Sequence, residues 1–352
     1  MKHEIQIKLG LILATILCAL VLIHSINQQP KLVSSVPVRE VVATSGSLHD
    51  SFNQDIPLDT LQKEHYGNME GGWEWLNEVG YDHPVAQTRF NDALIEGDFT
   101  GTWLELNAHF QEQSFEIQID KASPSVFRSP NAKDFNYVRL AENLPYGSHH
   151  FRLRLVDRHN APLLARSLRT DGYLQESQPA HKTRLLGFGA STFDFCGVIW
   201  QTAQAKGWEA INRGIGGTTL VNSGLQRIES DVLPFQPDVM LINYGSNDWY
   251  SNIPVETFQS AFEATLNKLA EKLPETHFVV VGIFPRRGGS ETTRPLYNKA
   301  MQEAISHSTA ASHTRYLEIK DYSWQTNSMD GTHPNQQAVR TIFVPQILPY
   351  LE

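Results

Sequence analysis

The chain has 352 residues, of which 41% are hydrophobic and 19% are charged. These proportions are typical of a globular protein and exclude a disordered one, and the length suits one large domain or two ordinary ones. The formal net charge of -9 provides no global attraction to nucleic acid, so we expect no nucleic-acid partner.

An apolar run from Leu9 to Ile23 follows a basic start that contains Lys2 and Lys8. The run is shorter than the roughly 20 residues that a spanning helix needs, so residues 1–25 are expected to be a secretory signal peptide or, as the second choice, a retained membrane anchor. In both cases the protein is exported, to the periplasm or the cell exterior, and contacts the membrane only through an uncleaved segment.

A polar lead-in at residues 26–60 precedes a region of short, strand-like runs that ends near residue 173. In HHFRLRLVD, residues 149–157, apolar side chains alternate with arginines, which is typical of a half-exposed antiparallel strand. Turn residues separate such runs at spacings of about ten residues, a pattern that predicts a β-sandwich over residues 61–178.

From residue 182 onward, apolar runs that fit buried strands alternate with helical stretches. The apolar runs are LLGFG, EAINRG, DVMLINYG, HFVVVGIF and TRYLEI. In VETFQSAFEATLNKLAEKL, residues 255–273, apolar side chains recur at helical spacing. This alternation predicts an α/β domain over residues 179–352, with a parallel sheet wrapped by helices.

Small or polar residues follow the strands of this second region. They are Ser191 in GASTF, Gly216 and Gly217 in IGGTT, Asn247 in YGSND, and Asp330 and His333 in DGTHP. Parallel strands bring their carboxyl ends to one edge of a sheet, so we expect these distant residues to meet there.

The residues of this set are sufficient for acyl transfer. A serine hydroxyl needs a neighbouring base, which His333 can provide, and Asp330 can hold the imidazole in one tautomer. A glycine N–H and the amide of Asn247 can stabilise the negative charge that develops on a carbonyl oxygen. The alternative is that Ser191 merely caps the next helix, and that Asn247 stabilises a turn.

The four motifs resemble those of the SGNH (GDSL-like) hydrolase superfamily, from residue 184 to the end of the chain. The resemblance implies a flavodoxin-like, three-layer parallel sheet. It also implies roles for particular residues: Ser191 as nucleophile, His333 and Asp330 as the other triad members, and Ser191, Gly217 and Asn247 as the oxyanion hole, with Gly216 as the second choice for the glycine. Ala190 stands where the family usually has Asp.

The strand-rich region resembles the N-terminal sandwich of carbohydrate esterase family 2, through DFTGTWLELN and GSHHFRLRLVD. This resemblance implies a jelly-roll-like sandwich ahead of the hydrolase domain, and a carboxylic-ester hydrolase that removes short acyl groups, above all acetyl, from a carbohydrate. The alternatives are a lipid or thioester acyl hydrolase with the same site, and a glycan-binding envelope protein in which Ala190 reflects impaired catalysis.

Aromatic residues lie beside two of the motifs, where a sugar ring can stack. Trp249 and Tyr250 follow Asn247, and Trp324 precedes DGTHP, so all three are candidate substrate contacts, with burial in the core as the alternative. Asp248 is expected to be structural, because an Asp in a turn commonly accepts hydrogen bonds from backbone N–H groups.

No metal or cofactor is predicted. His149 and His150 are adjacent on a predicted strand and therefore lie on opposite faces, which disfavours a shared metal. GFGAST lacks the third glycine of a dinucleotide-binding fingerprint, and GIGGTT lacks the lysine of a phosphate-binding loop.

Overall fold

The computed structural model describes residues 39–40, 55–63, 67–71, 73–77, 83–159, 161–175 and 182–352. The predicted signal peptide or anchor at residues 1–25 and most of the predicted lead-in lie outside these ranges. Among the helices in these ranges, none is both long and apolar enough to cross a membrane. The described residues belong to one compact unit, Val36–Glu352, and the predicted domain boundary near residue 178 stays a prediction.

The described part of the first region consists of strands and one short helix, α1 (Leu58–Lys63). The strands are β1 (Arg39–Glu40), β2 (Ile56–Pro57), β3 (Gly67–Glu70), β4 (Glu74–Leu76), β5 (Val85–Thr88), β6 (Leu94–Gly101), β7 (Leu104–His109), β8 (Ser114–Ile119), β9 (Ser125–Arg128), β10 (Asn136–Ala141), β11 (Gly147–Asp157), β12 (Leu163–Thr170) and β13 (Tyr173–Gln175).

These strands form two sheets within the described ranges. One has the order β1-β9-β8-β11-β6-β13, with β3 also paired to β6; the other has the order β10-β7-β12-β5-β4, with β2 paired to β12. The pairs are antiparallel except for β1 with β9. Side chains from both sheets share one hydrophobic core, which includes Phe99, Leu106, Phe151 and Leu168. The predicted antiparallel strands are confirmed.

Strand β11 shows the alternation expected from HHFRLRLVD. Phe151, Leu153 and Leu155 are at most 2% exposed, so they form the inner face of the strand. Arg152 and Arg154 lie on the other face but are not simply solvated, because their guanidinium carbons lie 5.5 and 4.5 Å from the ring centroid of Trp200. Trp200, in the second region, covers part of this outer face, but the side chains on the face are half-buried or exposed. The predicted half-exposed strand is confirmed.

The second region alternates strands with helices, as predicted. Its strands are β14 (Arg184–Gly189), β15 (Glu209–Gly214), β16 (Val239–Asn243), β17 (His277–Val281) and β18 (Thr314–Leu317). Its helices are α2 (Ser191–Phe195), α3 (Val198–Lys206), α4 (Leu220–Asp231), α5 (Ser246–Tyr250), α6 (Val255–Lys272), α7 (Arg294–His307), α8 (Trp324–Asn327), α9 (Gln336–Ala338) and α10 (Val344–Ile347). Short 3-10 and π turns join them, at Leu233–Phe235, Ala311–His313, Val339–Phe343 and Leu348–Tyr350.

The five strands of this region form a parallel sheet with the order β15-β14-β16-β17-β18. Counted along the chain this is 2-1-3-4-5, the flavodoxin-like order. Strand residues point alternately into two cores: Leu186 and Met240 contribute to one, and Leu185 and Leu241 to the other. Because helices cover both faces, strands such as β16 are buried throughout and are apolar up to their last residue, Asn243. The predicted three-layer parallel sheet is confirmed.

The sheet order determines which loops are neighbours. Strand β14, which leads to Ser191, pairs with β15 on one side and with β16 on the other. The carboxyl ends of these three strands therefore bring the serine, the glycine loop and the YGSND turn together at one edge.

Candidate active site

Ser191 is the first residue of α2 and follows directly after β14 and Ala190. The N-cap position is occupied by Ala190, which makes no side-chain cap. The hydroxyl oxygen of Ser191 instead lies 2.8 Å from Nε2 of His333, although 142 residues separate the two in sequence. The alternative in which Ser191 serves only as a helix cap is therefore wrong.

The DGTHP loop orients the imidazole of His333 from its other nitrogen. Nδ1 lies 2.7 Å from Oδ2 of Asp330, and Oδ1 of the same carboxylate accepts the N–H groups of Thr332 at 2.8 Å and His333 at 2.9 Å. Burial alone would raise the pKa of Asp330, but these hydrogen bonds hold it well below its usual range. The ionised carboxylate accepts a hydrogen bond from Nδ1–H, which leaves the lone pair of Nε2 free to accept a proton from Ser191.

Two neighbouring segments hold the DGTHP loop against the serine. The N–H of Arg287, in the loop after β17, donates to the carbonyl of Gly331 at 2.6 Å. Just beyond the histidine, the Gln336 amide donates to the carbonyl of Cys196 at 3.0 Å. The first contact joins the DGTHP loop to the loop after β17, and the second joins the residues after His333 to the end of α2, so that His333 is held next to Ser191.

Phe195, which the sequence analysis did not single out, packs against the imidazole. Its ring centroid lies 4.5 Å from that of His333 with an interplanar angle of 63°. Phe195 is four residues after Ser191 in α2, so the two side chains share a face of the helix. The ring restricts rotation of the histidine from the side next to the serine.

The glycine loop after β15 lies directly beside Ser191. A Cβ placed on Gly214 would lie 2.2 Å from the backbone nitrogen of Asp194, so only glycine fits there. A Cβ placed on Gly216 would lie 3.7 Å from Cβ of Ser191. The N–H of Gly216 is already donated to Oδ2 of Asp194 at 2.8 Å, whereas the N–H of Gly217 has no acceptor among the described residues. This difference favours Gly217 over Gly216 as an oxyanion donor.

The amide of Asn247 is fixed from both of its ends. Nδ2 donates to the carbonyl of Thr218, in the glycine loop, at 2.8 Å, and Oδ1 lies 3.4 Å from a guanidinium nitrogen of Arg286. An amide nitrogen carries two hydrogens, so one remains for a ligand. The amide of Asn247 is therefore held in one orientation, and its role in the oxyanion hole stays a prediction.

Arg286 is a second residue that the sequence analysis missed. It follows β17 in the run FPRRGG, and its guanidinium carbon lies 4.3 Å from the ring centroid of Tyr250. Burial lowers the pKa of Arg286 from its usual value. A cation at the carboxyl end of a strand was the available signal, because polar groups at that edge tend to face the ligand site.

The three predicted aromatic contacts have different environments. Trp249 is 2% exposed and donates from Nε1 to the Thr293 hydroxyl at 3.0 Å, so its predicted contact with substrate is wrong: no face of the ring is open. Tyr250 is 52% exposed. Trp324 is partly buried against the core that contains Leu185. Contacts of Tyr250 and Trp324 with substrate stay predictions.

Asp248 has the structural role expected for it. It is fully buried, and its carboxylate accepts the N–H groups of Leu220 at 2.9 Å and Val221 at 3.1 Å, at the start of α4. His149 is 8% exposed while His150 is exposed, in agreement with their predicted placement on opposite faces. The described ranges contain no group of three or more His, Cys, Asp or Glu side chains arranged to hold a metal ion.

Comparisons with known proteins identify a similar family and similar folds. Residues 185–340 match the model of the GDSL-like Lipase/Acylhydrolase family. No curated protein matches the chain.

The similarity to solved structures covers both the second region and most of the first. A family two carbohydrate esterase from Cellvibrio japonicus is 14% identical with a TM-score of 0.71, over 85% of this chain and 97% of that chain. One from Clostridium thermocellum, in complex with cellohexaose, is 16% identical with a TM-score of 0.66, over 81% and 99%. An acetyl xylan esterase from the rumen bacterium Butyrivibrio proteoclasticus is 13% identical with a TM-score of 0.62, over 86% and 98%.

At these identities the structural matches show a common fold. The family-model match covers the segment that carries Ser191, Gly217, Asn247, Asp330 and His333. The expected resemblance is therefore confirmed: the second region resembles the SGNH (GDSL-like) hydrolases, and the chain as a whole resembles carbohydrate esterases of family two.

Proposed function

We propose that the protein is a serine carboxylic-ester hydrolase that removes short acyl groups, above all acetyl, from a carbohydrate. The observation that carries this proposal is the line of side chains in which Nε2 of His333 lies 2.8 Å from the Ser191 hydroxyl and Nδ1 lies 2.7 Å from Asp330. Such a line converts a weak nucleophile into a strong one, because the proton has an oriented acceptor.

The first half of the reaction forms an acyl-enzyme. Oγ of Ser191 attacks the ester carbonyl carbon while Nε2 of His333 takes the hydroxyl proton, and the ionised Asp330 stabilises the resulting imidazolium. Collapse of the tetrahedral intermediate breaks the bond to the sugar oxygen, which receives the proton from His333. In the second half, a water molecule takes the place of the sugar and its oxygen attacks the acyl carbon while Nε2 of His333 takes a proton from the water. Collapse of this second intermediate breaks the bond to Oγ of Ser191, which receives that proton from His333, and the carboxylic acid leaves.

Three donors near the Ser191 hydroxyl are available for the negative charge that develops. The N–H groups of Ser191 and Gly217 have no acceptor among the described residues, and Asn247 has an unused amide hydrogen. Donors aimed at a developing oxyanion stabilise the transition state more than the ground state, and each typically contributes a few kcal/mol. We therefore assign the oxyanion hole to Ser191, Gly217 and Asn247.

The carbohydrate substrate is supported by the fold rather than by the triad. Of the similar structures, one is an acetyl xylan esterase and another was solved with cellohexaose. Tyr250, which is 52% exposed, and the half-buried Trp324 are candidate contacts for a sugar ring. With this substrate we propose a jelly-roll-like sandwich at residues 61–178, a hydrolase domain at residues 179–352, and export of the protein.

The test is acetate release from a panel of acetylated glycans. Ser191→Ala is expected to abolish release, because no other hydroxyl contacts His333 in the described residues. The matched control is Ser260→Ala, an exposed serine of α6, which is expected to leave the rate unchanged. Full activity of Ser191→Ala would refute the proposal.

A second assay separates this substrate class from the lipid or thioester alternative. On nitrophenyl esters of increasing length, a site for acetyl groups loses activity beyond short chains. Activity that rises past about four carbons would instead favour a lipid acyl group, because each buried methylene adds about 0.8 kcal/mol of binding. The intact contacts of Ser191, His333 and Asp330 count against the catalytically impaired alternative.

A further inference from the structure

Asp194 lies where the two regions of the chain meet beside the glycine loop. It is three residues after Ser191 in α2 and is 6% exposed. Oδ2 of Asp194 accepts the N–H of Gly216 at 2.8 Å and lies 3.5 Å from a guanidinium nitrogen of Arg158. Arg158 follows β11, in the first region. One carboxylate oxygen thus joins the nucleophile helix, the glycine loop and the antiparallel sheets.

The backbone of Asp194 is held from the first region as well. Asn91, 4% exposed and located between β5 and β6, donates from Nδ2 to the carbonyl of Asp194 at 2.9 Å. Oδ1 of the same amide accepts the N–H of Arg158 at 2.9 Å. Asn91 therefore contacts both members of the Arg158–Asp194 pair. Among the described residues, Asp194 is the residue of α2 that accepts hydrogen bonds from side chains of the first region.

The bond from Gly216 decides which N–H of the glycine loop stays available. With Gly216 tied to Asp194, its Cα is held beside the Ser191 side chain, and the next N–H, that of Gly217, is left without an acceptor among the described residues. Ala190, immediately before the serine, has no polar side chain to offer. The carboxylate that reaches the loop comes instead from the helix after the serine.

We propose that Asp194 is a positioning residue for the Gly216–Gly217 loop, and that Asn91 and Arg158 of the first region hold it in place. This inference rests on the proposed ester hydrolysis. On this proposal, the antiparallel sheets of the first region help to hold the oxyanion hole in place, through Asn91 and Arg158. Without the carboxylate, the loop loses the hydrogen bond from Gly216 that holds it beside Ser191. The N–H of Gly217 is then no longer held where the oxyanion forms.

The test compares kcat and KM on an acetate ester for the wild type, Asp194→Ala, Asp194→Asn and Arg158→Gln. Asp194→Ala is expected to lower kcat about 10- to 100-fold, less than the ~10²–10³-fold typical when a donor is removed outright. KM is expected to change little, because the lost interaction acts in the transition state. Asp194→Asn keeps an acceptor oxygen for Gly216 and is expected to restore most of kcat, and Arg158→Gln is expected to lower kcat by a smaller factor.

Lys182→Met is the matched control. Lys182 pairs with Glu70 at 2.8 Å and Glu96 at 3.0 Å, so it also joins the two regions, but it precedes β14 at the opposite end of the strand from Ser191. This variant is expected to lower the melting temperature while kcat stays at the wild-type value. A general weakening of the contact between the regions is thereby separated from an effect on the loop.

The outcomes distinguish this inference from the proposed function. Wild-type kcat in a folded Asp194→Ala protein, or an Asp194→Asn protein no better than Asp194→Ala, would overturn the positioning role alone. If Asp194→Ala does not fold, an unchanged kcat in Arg158→Gln overturns it. Absence of Ser191-dependent hydrolysis in the wild type would overturn the proposed function, and this inference with it.

Discussion

The pKa of the carboxylate at the site and the pKa values of the carboxylates between the two regions are shifted in opposite directions by their surroundings. At the site, hydrogen bonds from His333 and backbone N–H groups outweigh burial and lower the pKa of Asp330. Between the regions, burial outweighs the neighbouring cations and raises the pKa of Asp92, Asp194 and Glu209. The site thus keeps one acceptor ionised for its chemistry, whereas the junction depends on arginines to offset the cost of buried charge.

If the triad and Asn247 are separate from the junction in this way, their variants should change rate without changing stability much. Asp194 is the exception, because it contacts both the glycine loop and Arg158 of the first region. The largest effect is expected for His333→Ala, which removes the base and should lower kcat by about 10⁴- to 10⁶-fold. The measurement is ester hydrolysis under single-turnover and steady-state conditions. His150→Ala, an exposed histidine of β11, is the control and should hydrolyse at the wild-type rate. Near-wild-type hydrolysis by His333→Ala would remove the imidazole from the mechanism.

Asn247→Ala is expected to have the next largest effect. Loss of one oxyanion donor should lower kcat by ~10²–10³-fold with a small change in KM. The exposed Asn222 of α4 provides a matched Asn→Ala control, for which no change is expected. Equal losses in both variants would point to damage to the fold instead of a lost donor.

Arg154→Met should show the opposite behaviour, a loss of stability without a loss of rate. Arg154 pairs with Asp92 at 2.8 Å, and Asp92 is 3% exposed, so the variant leaves a buried carboxylate without its cation. Breaking a buried pair from one side typically costs about 3–5 kcal/mol. Urea unfolding measures this cost, and kcat of the folded fraction should match the wild type. A lower kcat at unchanged stability would contradict the separation.

The smallest expected effect is in the pH dependence of stability. Because the folded pKa of Asp330 is lowered, its contribution is present above the unfolded pKa of about 4 and is lost as pH falls below it. Asp194 has a raised folded pKa, so its contribution to stability is present below the unfolded pKa and is lost as pH rises through the folded pKa. The stability differences between wild type and Asp330→Asn, and between wild type and Asp194→Asn, should therefore change with pH in opposite directions in urea titrations. If both stability differences change with pH in the same direction, the pKa values of Asp330 and Asp194 are not shifted in opposite directions.

The sequence was sufficient to predict the strands and site residues that a local pattern marks. The apolar runs predicted the strands of the parallel sheet, since a strand buried on both faces is mostly apolar. Ser191, Asn247 and His333 were found because each follows a strand or lies in a turn-forming motif. Trp249 was misplaced because neighbouring residues of a helix point in different directions: Asn247 faces the glycine loop while Trp249 points into the core.

The junction could not be predicted in the same way. Alternation in HHFRLRLVD shows which side chains leave the core of their own sheet, but not that Trp200 lies over Arg152 and Arg154. The contact of Asn91 with Asp194 spans 103 residues and joins two regions of different period. No local pattern encodes such a pair, because it depends on how the sheets pack together.

The central claim is that Ser191 is an activated nucleophile, and covalent labelling tests it most directly. A fluorophosphonate should form one adduct per chain, and peptide mapping by mass spectrometry should place it on Ser191, with labelling abolished in Ser191→Ala and greatly slowed in His333→Ala. No adduct on the folded wild-type protein, or an adduct formed at the same rate in Ser191→Ala, would contradict the account.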